Sequence, residues 1–188
     1  SDMYLDENSN VVPRVSLDGA LAAGIPGLAA GLTHVSEKYG VLPLDQVLAP
    51  AISLAENGFS VYERFNTALK VAIAIDVMSP KFLETFTIDG ETPKVGTLIK
   101  QPELATTLRV IARQGHDGFY KSQFTRTMVE ESNKNGSIWT TDDFANYSIV
   151  ERKPLKVQFS DYQLTLAPPP SSGGTTIATI LNIISEYN

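Results

Sequence analysis

The 188 residues contain no cysteine. Disulfides, thiolate metal sites and a cysteine nucleophile are excluded at once. Histidine is nearly missing too: His34 and His116 lie far apart and lack an acidic ligand pattern nearby. Each reads as a surface or helix-end residue, and no metal site is expected. No apolar run approaches the roughly 20 residues that span a bilayer. No basic-then-apolar leader opens the chain, so any export signal is expected to be removed or to lie outside it. Cations are in deficit, 15 Lys and Arg against 21 Asp and Glu, for a net charge of −6. That balance argues against a nucleic-acid partner, which needs a basic face. What is present, 43% hydrophobic and 19% charged residues, is the composition of a folded globule.

Along the chain the hydrophobic period is mostly helical. After a polar, turn-rich start, Leu21 to Ile25 suits a short buried strand and Pro26 a first helical turn. Leu28, Leu32 and Val35 then repeat at helical spacing up to Gly40. Gly24, Gly27 and Gly31 leave room for close packing. Residues 43–57 read as a helix ended by Gly58, with Pro50 predicting a kink or split at Ala49. A helix over 60–77 places Phe65, Leu69, Ile73 and Val77 on one face. Pro80 to Phe86 suits a short helix, and 88–96 a polar loop or loose hairpin. Pro102 to Arg113 is the clearest helix, with Gly115 as its stop, and another is expected from Gly118 to Lys134. Thr141 suits the N-cap of a turn through Phe144.

At Pro154 the period changes to two. Leu155, Val157 and Phe159 alternate with polar residues, as do Tyr162, Leu164 and Leu166, leaving Ser160-Asp161 as the turn. Asp tolerates the positive φ such a turn needs. The fold class expected is α+β, with five to seven helices, one hairpin at 154–167 and a single partial domain over 1–188. After the hairpin come Pro168 to Pro170, then Ser171, Ser172, Gly173 and Gly174, then a helix over 175–187 with Ile177, Ile180, Leu181 and Ile184 on one face. Ser171 or Ser172 suits the helix cap, and the two glycines admit close backbone approach.

General motifs of catalysis are missing. The glycines near residue 27 do not have dinucleotide-binding spacing, and there is neither a phosphate-binding loop nor a Gly-x-Ser-x-Gly elbow. Glu130-Glu131 and Asp142-Asp143 are adjacent, so their side chains diverge. A solvated helix face and a helix start explain them better than paired acid–base chemistry.

Specific phrases say more. MYLDENSNVVPRVSLDG, LAAGIPGLAAGL, KYGVLPLDQVLAPAISLAENGF, QPELATTLRVIARQG, GFYKSQ, NGSIWTTDDFANY, ERKPLKVQFSDYQL and PPPSSGG occur in that order. In this succession the chain resembles the large subunit of the γ-glutamyltransferases, or glutathione hydrolases, over nearly its whole length. It departs from the family at Ser122, at Gly136-Ser137 and at Ser160-Asp161, where a loop glycine is usual.

The resemblance implies a parent N-terminal-nucleophile hydrolase of αββα architecture, with the hairpin joining a larger sheet. Such a precursor cuts itself into two subunits and exposes an N-terminal threonine. The threonine takes the γ-glutamyl group of amides such as glutathione as an acyl-enzyme and passes it to water or an amino acid. No cofactor is implied. The partners implied are γ-glutamyl compounds, the remaining large-subunit regions and the small subunit, and the compartment is periplasmic or secreted. The family's Thr-Thr-His nucleophile phrase and Arg-Glu-x-Ala-Pro carboxylate phrase are both absent here. The chain is therefore expected to be a central piece of the large subunit, with no catalytic residue of its own and no activity alone. Ser171 to Gly174 is expected to be a structural loop near the cleft. Self-association of the piece is expected through the apolar stripe Ile177-Ile180-Leu181-Ile184 of its last helix or through the unpaired edges of the 154–166 hairpin. A noncatalytic helical interaction domain is the alternative class, and a related acylase or poly-γ-glutamate enzyme the alternative substrate.

Overall fold

Helix-period apolar stripes cannot be buried singly, so the first part of the chain folds as helices laid against one another. The structure, a computed structural model, describes residues 2–75 and 78–187. In chain order its elements are α1 (Leu28–Tyr39), α2 (Leu44–Asn57), β1 (Phe59–Ser60), α3 (Glu63–Ala74), α4 (Pro80–Phe86), β2 (Leu98–Ile99), α5 (Pro102–Tyr120), α6 (Gln123–Lys134), α7 (Thr141–Ala145), β3 (Leu155–Phe159), β4 (Tyr162–Leu166) and α8 (Ser172–Ser185). Among the described residues there are thus eight α-helices, more than the five to seven expected, because the turn expected at 141–144 is a helix of its own, α7.

The chain forms two compact units, divided between Ser148 and Ile149. The first is helical. Its core includes Ala30, Ala55, Val61, Leu69, Ile99, Ala105, Ile111, Tyr120, Val129 and Phe144. α2 packs against α5, and each buries a small alanine, Ala55 and Ala105. The short antiparallel pair of β1 and β2 sets Phe59 opposite Ile99, and the Gln101 amide donates to the Ala55 carbonyl at 2.7 Å. In α3, Phe65, Leu69 and Ile73 face inward as expected. Val77, assigned to the same face, lies outside the described residues.

Several boundaries differ from expectation. Leu21–Ile25 is no strand: Ala20–Ala22 forms a 3₁₀ turn and the backbone then runs irregularly to Gly27. Its carbonyls bond to side chains instead, the Trp139 indole donating to Ala23 at 3.1 Å and the Tyr120 hydroxyl to Pro26 at 2.6 Å. Pro26 therefore precedes α1 rather than opening it. Gly27 does pack closely, since a Cβ there would meet the Tyr147 hydroxyl, but Gly24 and Gly31 face open space. α2 continues through Pro50 without a split.

Gly115 interrupts α5 as expected: at φ +57° and ψ −134° it leaves the helical region, and a separate short helical stretch follows to Tyr120. The expected helix over 118–134 is accordingly two. Ser122 caps α6 by accepting from the Thr125 amide at 3.3 Å, which gives the non-glycine residue at this position a role. α7 is capped by Thr140, not Thr141. Thr140 and Asp143 form a reciprocal capping box, which only the earlier threonine has the spacing to make.

The second unit is the hairpin and α8. Leu155 pairs with Leu166, Val157 with Leu164 and Phe159 with Tyr162, as alternation in both arms predicts. The positive φ of the turn falls on Ser160, at +51°, rather than on Asp161. α8 starts at Ser172, three residues before the expected helix, and packs on the hairpin.

Candidate functional site

Ser171 to Gly174 is the join between the hairpin and α8. Ser171 occupies the N-cap position, but its side chain makes no capping bond. Its amide donates to the Pro168 carbonyl at 3.2 Å, so the proline stretch and the cap close into one turn. The Ser172 carbonyl accepts from the hydroxyls of Thr175 and Thr176, at 2.9 and 2.8 Å. Gly174 is buried, and a Cβ there would strike the Ala167 carbonyl oxygen and lie 3.2 Å from Leu166 Cβ. A Cβ at Gly173 would make only an ordinary contact, 3.8 Å from Ser171 Oγ. The sequence Ser-Ser-Gly-Gly is thus met by one glycine needed for helix-on-hairpin contact, while the hydroxyls of both serines are left without a capping role.

The helical unit carries an apolar groove of about 780 Å³. Leu28 and Leu32 of α1, Leu44 and Leu48 of α2, and Leu104 and Leu108 of α5 line it, with Lys81, Glu84, Lys100 and Glu103 among its polar members. Periodicity accounts for these leucines as helix stripes; that they face a groove rather than a filled core was not legible from it.

Beside α1 stands an aromatic stack that sequence reading did not single out. Tyr120 lies between His116, ring centroids 4.4 Å apart, and Tyr147, 5.2 Å apart and nearly parallel. His116 Nε2 is 3.0 Å from the Tyr147 carbonyl, which only accepts, so this nitrogen carries the hydrogen. His116 is thus a positioned link between α5 and the end of the 141–147 segment. The Lys121 ammonium, and after it the His116 ring, hold the Asp117 carboxyl below its usual range. Burial pushes the Tyr120 phenol up, so it stays protonated and able to donate.

On the opposite side of α5, a smaller depression of about 360 Å³ is bordered by Asp45, Glu56, Arg109 and Arg113. The hydrogen bond from Arg109, reinforced by its charge, lowers the Glu56 carboxyl. None of these places brings together a nucleophile, a base and an oxyanion donor set.

The family profile described as Gamma-glutamyltranspeptidase matches residues 1–188. The chain belongs to the γ-glutamyltranspeptidase family. It is 38% identical to the glutathione hydrolase proenzyme of Escherichia coli K12 over 190 aligned residues, covering all of this chain and 32% of that protein. Its fold matches the crystal structure of the Helicobacter pylori γ-glutamyltranspeptidase with a TM-score of 0.92 and 38% identity, over 99% of this chain and 54% of that one. The γ-glutamyltranspeptidase of Pseudomonas nitroreducens, solved in complex with L-DON, matches at a TM-score of 0.88 and 35% identity, over 100% and 55%. The chain therefore spans about a third of the length of the curated relatives it matches. An α+β fold of the N-terminal-nucleophile hydrolase class, expected from the phrase order, is what these γ-glutamyltranspeptidases share with it.

Proposed function

We propose that these residues form a scaffold portion of an enzyme that cleaves γ-glutamyl amides such as glutathione and transfers the γ-glutamyl group to water or an amino acid. The observation that carries this reading is an alignment over the entire chain to glutathione hydrolases, with the family's phrases in order. In this reading the nucleophilic threonine and the substrate-carboxylate arginine belong to other parts of the protein, since their phrases do not occur here. The hydrogen bond from the Thr140 hydroxyl to the Asp143 carboxylate serves the capping box of α7. What the chain supplies is support: a hairpin backed by α8, and helices braced by the Tyr120 stack.

The partners follow from the same reading. They are γ-glutamyl compounds for the whole protein, and the remaining large-subunit regions and the small subunit for this portion. Ile177, Ile180 and Ile184 are exposed, which supports self-association of the 188-residue chain on its own. From the family resemblance we propose a periplasmic or secreted location. Ser171 to Gly174, the N-cap and first turn of α8 rather than a loop, are proposed to be structural and near the cleft.

The test is acyl-enzyme mapping. A longer protein carrying this chain is quenched during turnover of a γ-glutamyl anilide and digested, and the glutamyl adduct is located by mass spectrometry. The adduct is expected on a threonine outside residues 1–188. An adduct on Ser171, Ser172 or any threonine of this chain would overturn the reading.

A further inference from the structure

The sequence holds two Asn-Gly bonds, Asn57-Gly58 and Asn135-Gly136. Glycine has no Cβ to shield its amide nitrogen or restrict its backbone, so an asparagine before it is well placed to react with its own main chain. We propose that Asn135 is a site of spontaneous deamidation and that the fold protects Asn57 from the same reaction. The Gly136 nitrogen loses its proton to solvent and attacks Asn135 Cγ. The Cγ–Nδ2 bond breaks, ammonia leaves after taking up a proton, and a cyclic imide remains. Water then opens either imide carbonyl to give aspartate or isoaspartate, so the sum is amide plus water to acid plus ammonia.

Asn135 and Gly136 form the turn that follows α6, and both are exposed. Gly136 has φ +91°, and a Cβ built on it would meet nothing within 4 Å. The hydrogen bonds that hold the pair are local. The Gly136 amide donates to the Asn133 carbonyl at 3.1 Å, and the Asn135 side-chain amide to the Glu131 carbonyl at 2.8 Å. Both bonds end in the last turn of α6, and helix ends fray at low free energy. Breaking them releases the attacking nitrogen and the side chain it attacks together.

Asn57 carries the same chemistry in a tighter setting. The Gly58 amide donates to the Leu54 carbonyl at 3.0 Å, and the Asn57 side chain to Ser53 Oγ at 3.1 Å. Gly58 is half-buried, and a Cβ there would lie 3.1 Å from the Ile99 carbonyl oxygen. Phe59, the next residue, pairs with Ile99, and the nearby Ala55 carbonyl accepts from the Gln101 amide at 2.7 Å. Turning the Asn57–Gly58 peptide toward its side chain therefore disturbs the β1–β2 pair as well as the end of α2. At position 135 the product sets a carboxylate at the C-terminal end of α6, one turn after Glu131, where the helix dipole disfavours negative charge. Isoaspartate also adds a backbone carbon just before Ser137, whose hydroxyl accepts from the Trp139 amide at 3.2 Å.

Ageing of the full chain in mildly alkaline buffer, folded and in parallel in denaturant, tests this. Timed samples are digested and mapped by mass spectrometry for the amide-to-acid mass increase, with isoaspartate located by enzymatic methyl labelling. Protection at each site is its rate in denaturant divided by its rate in the folded chain. Asn135 is expected to convert in the folded chain, with protection roughly tenfold or more below that of Asn57, the equivalent of one or two further hydrogen bonds to open. Equal protection at the two sites, or a folded chain in which Asn135 keeps its amide while the denatured chain loses it, would overturn the proposal.

Discussion

Gly174 sits against the carbonyl oxygen of Ala167, with no room for a side chain between them. The contact joins the start of α8 to the end of β4 and explains why one residue of the Ser-Ser-Gly-Gly phrase must be glycine. Gly174→Ala should cost about 1–3 kcal/mol through overpacking against backbone that cannot move aside. Gly173→Ala, whose new methyl makes only an ordinary contact with the Ser171 hydroxyl, should stabilise by a few tenths to about 1 kcal/mol. Urea denaturation of the two variants gives the order directly. If Gly173 proves the more sensitive position, the loop has a role other than helix-on-hairpin packing.

A similar contrast separates the core from the groove wall. Phe144 is fully buried and meets the Trp139 ring edge-on at 5.4 Å. Phe144→Ala should cost about 3–5 kcal/mol, whereas Leu28→Ser on exposed α1 should stay within about 0.5 kcal/mol in this chain. Thermal unfolding of both variants tests whether α1 faces solvent; a large loss for Leu28→Ser would mean that it does not.

Much of this was legible from local pattern. The hairpin follows from period-two alternation in both arms, and its register holds pair by pair from Leu155–Leu166 to Phe159–Tyr162. The helices follow from stripes and glycine stops. What failed were places where a distant residue decides. Leu21–Ile25 is apolar enough for a strand, but its neighbourhood is organised by Trp139 and Tyr120, about a hundred positions away. Gly115 has the mark of a helix stop and is one, at φ +57°; what the pattern did not show is that a further helical turn follows it to Tyr120. Thr140 and Thr141 are equal as caps by residue type; Asp143 at the right spacing from Thr140 was the available signal. For the site, the Ser171–Gly174 phrase was visible, but the separate roles of Gly173 and Gly174 depend on tertiary packing, as does the His116–Tyr120–Tyr147 stack.

Acid should loosen the helical unit in a defined way. Hydrogen bonds from the Thr140 side chain and then its amide hold the Asp143 carboxyl below its usual value, and Arg109 does the same for Glu56. A carboxyl with a lowered folded value contributes stability that is present above its unfolded value, about 4, and is lost as pH falls through the folded one. Urea midpoints should therefore drop below about pH 4, less steeply in Asp143→Asn. Because these groups are exposed, salt should shrink the difference. An identical pH profile in the variant would show that the capping box carries no proton linkage.

The apolar face of α8 predicts association. Sedimentation of the 188-residue chain should show concentration-dependent dimers or larger species, and Ile180→Glu should shift them toward monomer. A wild-type chain that stays monomeric at high concentration would refute this.

The most direct measurement is activity of the purified 188-residue chain on a γ-glutamyl anilide, with and without an acceptor amino acid, beside a longer family protein that contains it. The longer protein should release the aniline and the 188-residue chain should release none, because a scaffold without the threonine has nothing to acylate. Turnover by the chain alone, abolished by substituting one of its own Thr, Ser or Lys residues, would contradict the account.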